Sequence, residues 1–192
     1  MVEHNIRRYT CTILYSFLAI CFITYCGYRV IQGENINLWN IITTSMSATA
    51  LLVTLFVIWA WKWKIFQGWL VPFPNLNGKW KGNIKYAFEG KESTRKIEVT
   101  IKQTFISIIV KFNTKESHSI NFCGSFNIDD KRDIKQLIYS YQNEPEANFR
   151  DKSPVHFGTT RLDINHDCTS MSGEYWTSRK TTGAISLKKH KK

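Results

Sequence analysis

Two long apolar runs open the chain, and beyond them the hydrophobic pattern changes its period. Thr10 to Tyr28 carries no charged residue over 19 positions, and Asn35 to Trp61 carries none over 27. At a helical rise of about 1.5 Å per residue the second run reaches about 40 Å, so its apolar part from Ile41 onward is long enough for a hydrocarbon core of about 30 Å. Between the runs lie Arg29, Gln32, Gly33, Glu34 and Asn35, a short polar turn. The pattern predicts a membrane-embedded α-helical hairpin over residues 1–71.

His4, Arg7 and Arg8 precede the first run as they would in a signal peptide. The run lacks a small-residue cleavage site, and a second span follows within a few residues, so a retained helix is expected. Arg7 and Arg8 before the first span, with Lys62 and Lys64 after the second, outnumber Arg29 at the turn, which predicts both termini on the cytoplasmic side. Trp59, Trp61, Trp63 and Trp69 crowd the exit of the second span, where amphipathic rings favour the headgroup layer, and Trp39 suits the opposite layer. Pro72 and Pro74 then stop any helical continuation. Small residues in the second span, such as Thr44 with Ala48 and Ser45 with Thr49, pack closely either inside the hairpin or between copies of the chain.

From Asn75 onward, alternation with a period of two predicts strands. Trp80, Gly82, Ile84, Tyr86 and Phe88 stand against Lys79, Lys81, Asn83 and Lys85; after a turn at Gly90, Ile97, Val99 and Ile101 stand against Lys96, Glu98, Thr100 and Lys102. Ile106, Ile108, Val110 and Phe112 mark a third strand, and Ile120, Phe122, Gly124, Phe126 and Ile128 a fourth, with a polar turn at 114–117 between them. A charged turn, Asp129 to Asp133, leads into Ile134 to Tyr141, and Asn143 to Pro154 is the longest break. Val155 to Ile164, Met171 to Thr177 and Gly183 to Leu187 complete a set of eight.

Eight short antiparallel strands, each apolar on one face, need either two stacked sheets or closure, and eight is the number at which a barrel interior holds side chains or one small ligand. The expected fold of residues 72–192 is an all-β domain, an eight-stranded antiparallel meander β-barrel of lipocalin-like shape. An immunoglobulin-like sandwich is the alternative, weakened because Cys123 and Cys168 show no Cys, Trp, Cys spacing.

Composition narrows the function. The mean hydropathy of the 192 residues is −0.26, so with two apolar spans the remainder is a polar, water-exposed module. From Pro72 to the end, 21 Lys and Arg stand against 13 Asp and Glu, giving +8 of the chain's +11. An anionic partner fits that balance, whether lipid headgroups or a phosphate-bearing ligand, and so does simple solubility. Cys11, Cys21 and Cys26 lie in the first apolar run, where they act as small hydrophobes; with no CxxC pair, neither a disulfide framework nor a metal site is expected. His4, His118, His156, His166 and His190 are scattered, and no GxSxG or phosphate-cradling glycine loop is present, which favours binding over catalysis.

The candidate binding residues come from the last hairpin, where Tyr175, Thr177, Arg179, Thr181, Gly183, Ile185 and Leu187 lie two apart. If Ile185 and Leu187 point inward, continuous alternation turns Tyr175, Thr177 and Arg179 inward as well, unless a turn near 179–182 breaks the register and leaves Arg179 in solvent. A guanidinium in a barrel mouth suits a phosphate, because its fork donates two parallel hydrogen bonds while Tyr and Thr hydroxyls satisfy the remaining oxygens. Tyr139 and Tyr141 add aromatic faces on which a base can stack, and Trp80 is a further candidate for recognition.

Two helices, a Pro-marked junction, Asn77-Gly78-Lys79-Trp80-Lys81-Gly82 opening the β module and Gly173-Glu174-Tyr175-Trp176-Thr177-Ser178-Arg179-Lys180-Thr181-Thr182-Gly183 near its end combine into one pattern. Over nearly its full length the chain resembles the two-transmembrane β-barrel effectors associated with bacterial CD-NTases in CBASS antiphage systems. The resemblance implies a cytoplasmic barrel that senses a cyclic dinucleotide without turning it over. It also implies a multi-pass protein of the inner membrane whose helices form a homo-oligomer on activation and disrupt the bilayer in abortive infection. No cofactor and no DNA or RNA polymer is expected. The Gly78-x-Trp80 pattern is shared with the first strand of lipocalins, so a membrane-anchored lipocalin-like protein for a small apolar or lipid ligand is the alternative.

Overall fold

The computed structural model describes residues 2–32, 37–88, 91–114, 117–129, 131–149 and 154–190, and the chain divides into two compact units, Met1–Pro72 and Phe73–Lys192. The turns expected around Gly33 and Gly90 fall largely outside the described residues.

The first unit holds α1 (Val2–Gln32) and α2 (Leu38–Ile58), and its segments Tyr9–Ile31 and Leu38–Ile58 are long and apolar enough to cross a membrane. Asn37 caps α2, its side-chain oxygen accepting from the Trp39 amide at 2.9 Å, one of the orphan donors of a helix start. On α2, Ile41, Ser45 and Thr49 share one buried face at a spacing of four, and the Ser45 hydroxyl lies 3.0 Å from that of Thr24 on α1. Ser45 and Thr49 therefore serve the hairpin itself. Thr43, Ser47 and Thr54 are exposed, and their hydroxyls donate to carbonyls of their own helix. Two 3-10 turns, Ala60–Lys62 and Lys64–Phe66, follow, with Trp59 edge-on to Trp63 at 5.1 Å between centroids.

The second unit is a closed barrel of eight antiparallel strands in sequence order, β1 (Gly78–Phe88), β2 (Lys91–Gln103), β3 (Ile108–Asn113), β4 (Ser117–Asp129), β5 (Ile134–Pro145), β6 (His156–Ile164), β7 (Ser170–Thr177) and β8 (Thr182–Lys189), with β8 pairing back onto β1. Closure leaves no need for a second sheet, so the sandwich alternative falls. Gly82 permits the tight β1–β8 seam, since a Cβ there would collide with the Ser186 carbonyl.

Among the described residues the register shifts in β4. The register against β5 shifts between Asn121 and Cys123, a bulge that places two residues opposite one and turns the strand over. Ile120 and Phe122 are exposed, whereas Ser119 and Ile128 are buried and Phe126 packs on the core. A single apolar face running from Ile120 to Ile128 is thus corrected to two half-strands of opposite phase. Asn121 supports the break from the other side, accepting from the Val110 amide at 2.7 Å and donating to the Ile108 carbonyl at 3.0 Å. Phe122, pushed outward, meets Phe157 edge-on at 6.2 Å. Ile106, expected in the third strand, lies in the turn before β3 and is 79% exposed.

Inside, the barrel has an aliphatic end and a polar end. Leu76, Trp80, Ile101, Leu137, Leu162, Met171 and Leu187 are essentially fully buried at the first. The entering chain plugs that end through buried Gln103, whose amide oxygen accepts from the Leu76 amide at 2.8 Å and whose nitrogen donates to the Pro74 carbonyl at 3.0 Å. Both ends of a buried amide are thereby satisfied, as burial requires.

Candidate functional site

The opposite end opens into a cavity of about 480 Å³, within the roughly 300–1,000 Å³ of small-molecule sites. Each strand contributes by continuing its inward alternation past the core. β1 carries Tyr86 beyond Ile84, β2 carries Arg95 beyond Ile97, β5 carries Tyr141 and Asn143 beyond Tyr139, and β7 carries Thr177 beyond Tyr175. Ser117 and Ser119 from β4, His156 and Thr160 from β6, and Thr181 and Ile185 add to the wall, and Val110, Phe112, Thr114 and Pro145 close it.

Arg179 reaches this cavity across a turn rather than along a strand. Thr177 and Thr181 remain paired, the Thr177 amide donating to the Thr181 carbonyl at 3.0 Å, and Ser178, Arg179 and Lys180 form a three-residue loop with Lys180 in the left-handed region at φ 61°. A turn does interrupt the strand, yet the odd-residue loop preserves the phase and Thr177, Arg179 and Thr181 all line the cavity. Tyr139, Tyr141 and Tyr175 line it too. Trp80 does not: it lies fully buried at the aliphatic end, its indole nitrogen donating to the Leu76 carbonyl at 2.9 Å and the Lys189 ammonium 5.4 Å from its ring centroid.

The lining carries charge of one sign. Arg95 and Arg179 contribute two guanidiniums, and among the described residues no Asp or Glu lines the cavity. Arg95 lies over the Tyr86 ring at 5.8 Å. Burial pushes the Tyr139 hydroxyl up to about 12 and raises Tyr141 and Tyr175 as well, with neighbouring tyrosines adding to the rise at the last two. These hydroxyls stay protonated and available to donate at neutral pH. Thr160 Oγ1 lies close enough to offset part of the rise at Tyr139 and Tyr141, but no atom stands within hydrogen-bonding geometry of it, although it is buried. The Tyr139 and Tyr141 rings lie 6.0 Å apart, tilted by 48°. Glycine makes room for one of them: a Cβ on Gly158, opposite Tyr141 on β6, would sit 2.5 Å from the Tyr141 hydroxyl.

Several lining residues escaped the reading of the sequence. Arg95 was accessible to the same alternation that singled out Arg179, by stepping back two from Ile97. Tyr86 was assigned to a strand but not to a site. Ser119 was hidden by the bulge, because counting back from Ile128 through an unbroken strand puts it outside, and Ser117 falls in the stretch 114–117 that reads as a polar turn. Asn143 fell in what looked like a long loop, whereas β5 extends to Pro145, and His156 was assigned to a strand but not to a site.

A family profile described as "Cap15, cyclic dinucleotide receptor domain" matches residues 71–189. The chain is 30% identical to the CD-NTase-associated protein 15 of Staphylococcus schleiferi over 152 residues, which covers 79% of this chain and 80% of the relative. It is 30% identical to the protein of the same name from Yersinia aleksiciae over 124 residues (64% and 58%), and 24% identical to that from Escherichia albertii over 200 residues (98% and 96%).

Proposed function

Because the chain belongs to the Cap15 cyclic dinucleotide receptor family, we propose that its barrel cavity binds a cyclic dinucleotide and that occupancy drives the apolar hairpins to assemble and breach the inner membrane, as a CBASS effector. The observation that carries the binding step is the pairing of Arg95 and Arg179 with a hydroxyl-rich wall in which, among the described residues, no carboxylate stands. A cyclic dinucleotide carries two phosphates, and two guanidiniums give each a bidentate partner while Ser, Thr and Tyr hydroxyls serve the remaining oxygens. Tyr139, Tyr141 and Tyr175 offer faces for the bases, and the unpartnered Thr160 hydroxyl is a buried polar atom that a ligand would satisfy. An apolar or lipid ligand would offer neither guanidinium an acceptor.

Both termini are assigned to the cytoplasm from the charges flanking the spans. For assembly, the face of α2 bearing Thr43, Ser47, Ala50 and Thr54 is small, exposed and satisfied within its own helix, so it permits close approach of another copy. Ligand shifts that equilibrium only by its differential affinity for assembled over free chains. Full-length protein in detergent, mixed with cyclic dinucleotides, is expected to melt at higher temperature, to leave the ligand intact and to form larger species. Absence of binding would sink the sensor reading, and binding without larger species would sink the assembly step alone.

A further inference from the structure

We propose that His156 and Asn143 form the base-reading edge of the cavity, with the imidazole Nε2 as a fixed hydrogen-bond acceptor; this rests on the cyclic dinucleotide reading. The two residues are direct cross-strand partners on β6 and β5, both line the cavity, and each is only 8% exposed. His156 Nδ1 lies 2.9 Å from the Pro154 carbonyl. A carbonyl oxygen can only accept, so the ring proton belongs on Nδ1 and Nε2 keeps its lone pair. The Asn143 side-chain amide has no hydrogen-bond partner among the described residues although it is more than nine-tenths buried, which leaves a donor and an acceptor for a ligand.

The rest of the lining cannot do this. Guanidiniums only donate, and Ser, Thr and Tyr hydroxyls rotate to donate or accept as required. They hold phosphates and sugar oxygens without discriminating between bases. Nε2 is an acceptor that no rotation converts into a donor, so the base set against it must present an N–H there, and Asn143 turns its amide to match whatever group stands beside that N–H. Affinity thus comes mainly from the arginines, and preference among bases from this pair.

Full-length protein in detergent is titrated with four 3′–5′-linked cyclic dinucleotides, bearing two guanines, two adenines, two uracils, or one guanine and one adenine. Thermal melting verifies that each variant is folded. His156→Phe keeps a planar aromatic ring, somewhat larger, and removes the acceptor; it is expected to weaken the tightest ligand about tenfold, the value of a lost buried hydrogen bond, and to compress the ratio between tightest and weakest. Arg179→Ala is expected to weaken all four by similar factors and keep the ratio. His156→Gln, which restores a side-chain acceptor, should recover part of it, and methylating the base N–H of the tightest ligand should cost wild type far more than His156→Phe. Lowering the pH puts a proton on Nε2 and should collapse the wild-type ratio. Among the described residues the charged and titratable groups sharing the cavity are Arg95, Arg179 and tyrosines 86, 139, 141 and 175, so of these and His156 only the imidazole has its ordinary range between pH 5 and 8. A ratio unmoved by His156→Phe overturns the assignment while leaving the sensor reading intact; no binding of any ligand by wild type overturns both.

Discussion

The two ends of the barrel are made from the same eight strands and the same alternation, yet they do opposite work. At the aliphatic end inward positions are filled by Trp80, Ile101, Leu137, Leu162, Met171 and Leu187, and the one buried amide, Gln103, has both of its ends satisfied. At the mouth the same inward positions, a few residues further along each strand, become Arg95, Tyr141, Asn143, His156 and Thr177, and polar atoms such as Thr160 Oγ1 are left without partners. One end satisfies its own buried amide, and the other leaves a buried hydroxyl without a partner. The difference teaches that stability and recognition are separable along a strand, so substitutions at the two ends should be read out by different measurements.

The largest expected effect breaks the closed end. Trp80→Ala removes a fully buried indole that packs among Leu76 and the neighbouring aliphatic side chains and bonds the Leu76 carbonyl, and a cavity of that kind costs about 3–5 kcal/mol. Urea unfolding of the full chain should show that loss, and ligand affinity of the fraction still folded should be unchanged. A large loss of affinity at full stability would return Trp80 to the binding site.

At the mouth the balance reverses. Arg95→Ala and Arg179→Ala each remove a charged bidentate donor, for which about 2 kcal/mol of binding, at least tenfold in affinity, is expected, while stability moves by no more than about 0.5 kcal/mol because both side chains are exposed. Isothermal titration beside a melting curve makes the check. If Arg95→Ala binds as wild type, the two-arginine account of the site fails even where Arg179 holds.

These substitutions also mark how far the sequence carried. Alternation and eight-fold count were legible because half-buried strands write their faces into the chain at a period of two, and Arg179 was reachable by continuing that period from Leu187. Arg95 was equally reachable. What alternation cannot carry across is an inserted residue: the bulge at Asn121–Cys123 reverses the phase of β4, so Ile120 and Phe122 look like core and Ser119 looks like surface, when the structure has them the other way round. Trp80 was misplaced for another reason. Its indole suits stacking or core filling equally well, and only depth along the barrel, which depends on the pairing of β1 with β8, separates the two uses. Ser45 shows the same limit in the hairpin, where a small residue suits any helix contact until its hydroxyl is found against Thr24.

A smaller effect sharpens the contrast between the ends. Gly158→Ala adds a methyl that would sit 2.5 Å from the Tyr141 hydroxyl, the far end of a side chain at the open mouth, so the ring can swing away with a stability loss of about 1 kcal/mol or less. Ligand affinity should fall several-fold because the ring leaves its position beside Tyr139. Unchanged affinity would show that Tyr141 does not need to be held there.

The smallest effect is a pH dependence that belongs to the mouth. Burial lowers the His156 pKa from its ordinary 6.5, and the nearby Arg179 charge pushes the same way, while the hydrogen bond to the Pro154 carbonyl pulls against both. The folded chain therefore takes up this proton at a lower pH than the unfolded chain. In the window between the two values the unfolded state binds more protons, so stability rises with pH there. The contribution is complete above the unfolded value near 6.5 and is lost as the pH falls through the lowered folded value. His156→Gln removes the group and leaves His4, His118, His166 and His190 in place, so their titration cancels when wild type and variant are compared. Urea unfolding of both, from pH 7.5 down to 5, should show the wild-type stability falling relative to the variant as the pH drops below 6.5. A difference that stays flat across that range would mean the imidazole is as readily protonated in the folded mouth as in water, and a difference that grows in favour of wild type at low pH would place an uncompensated negative charge beside it.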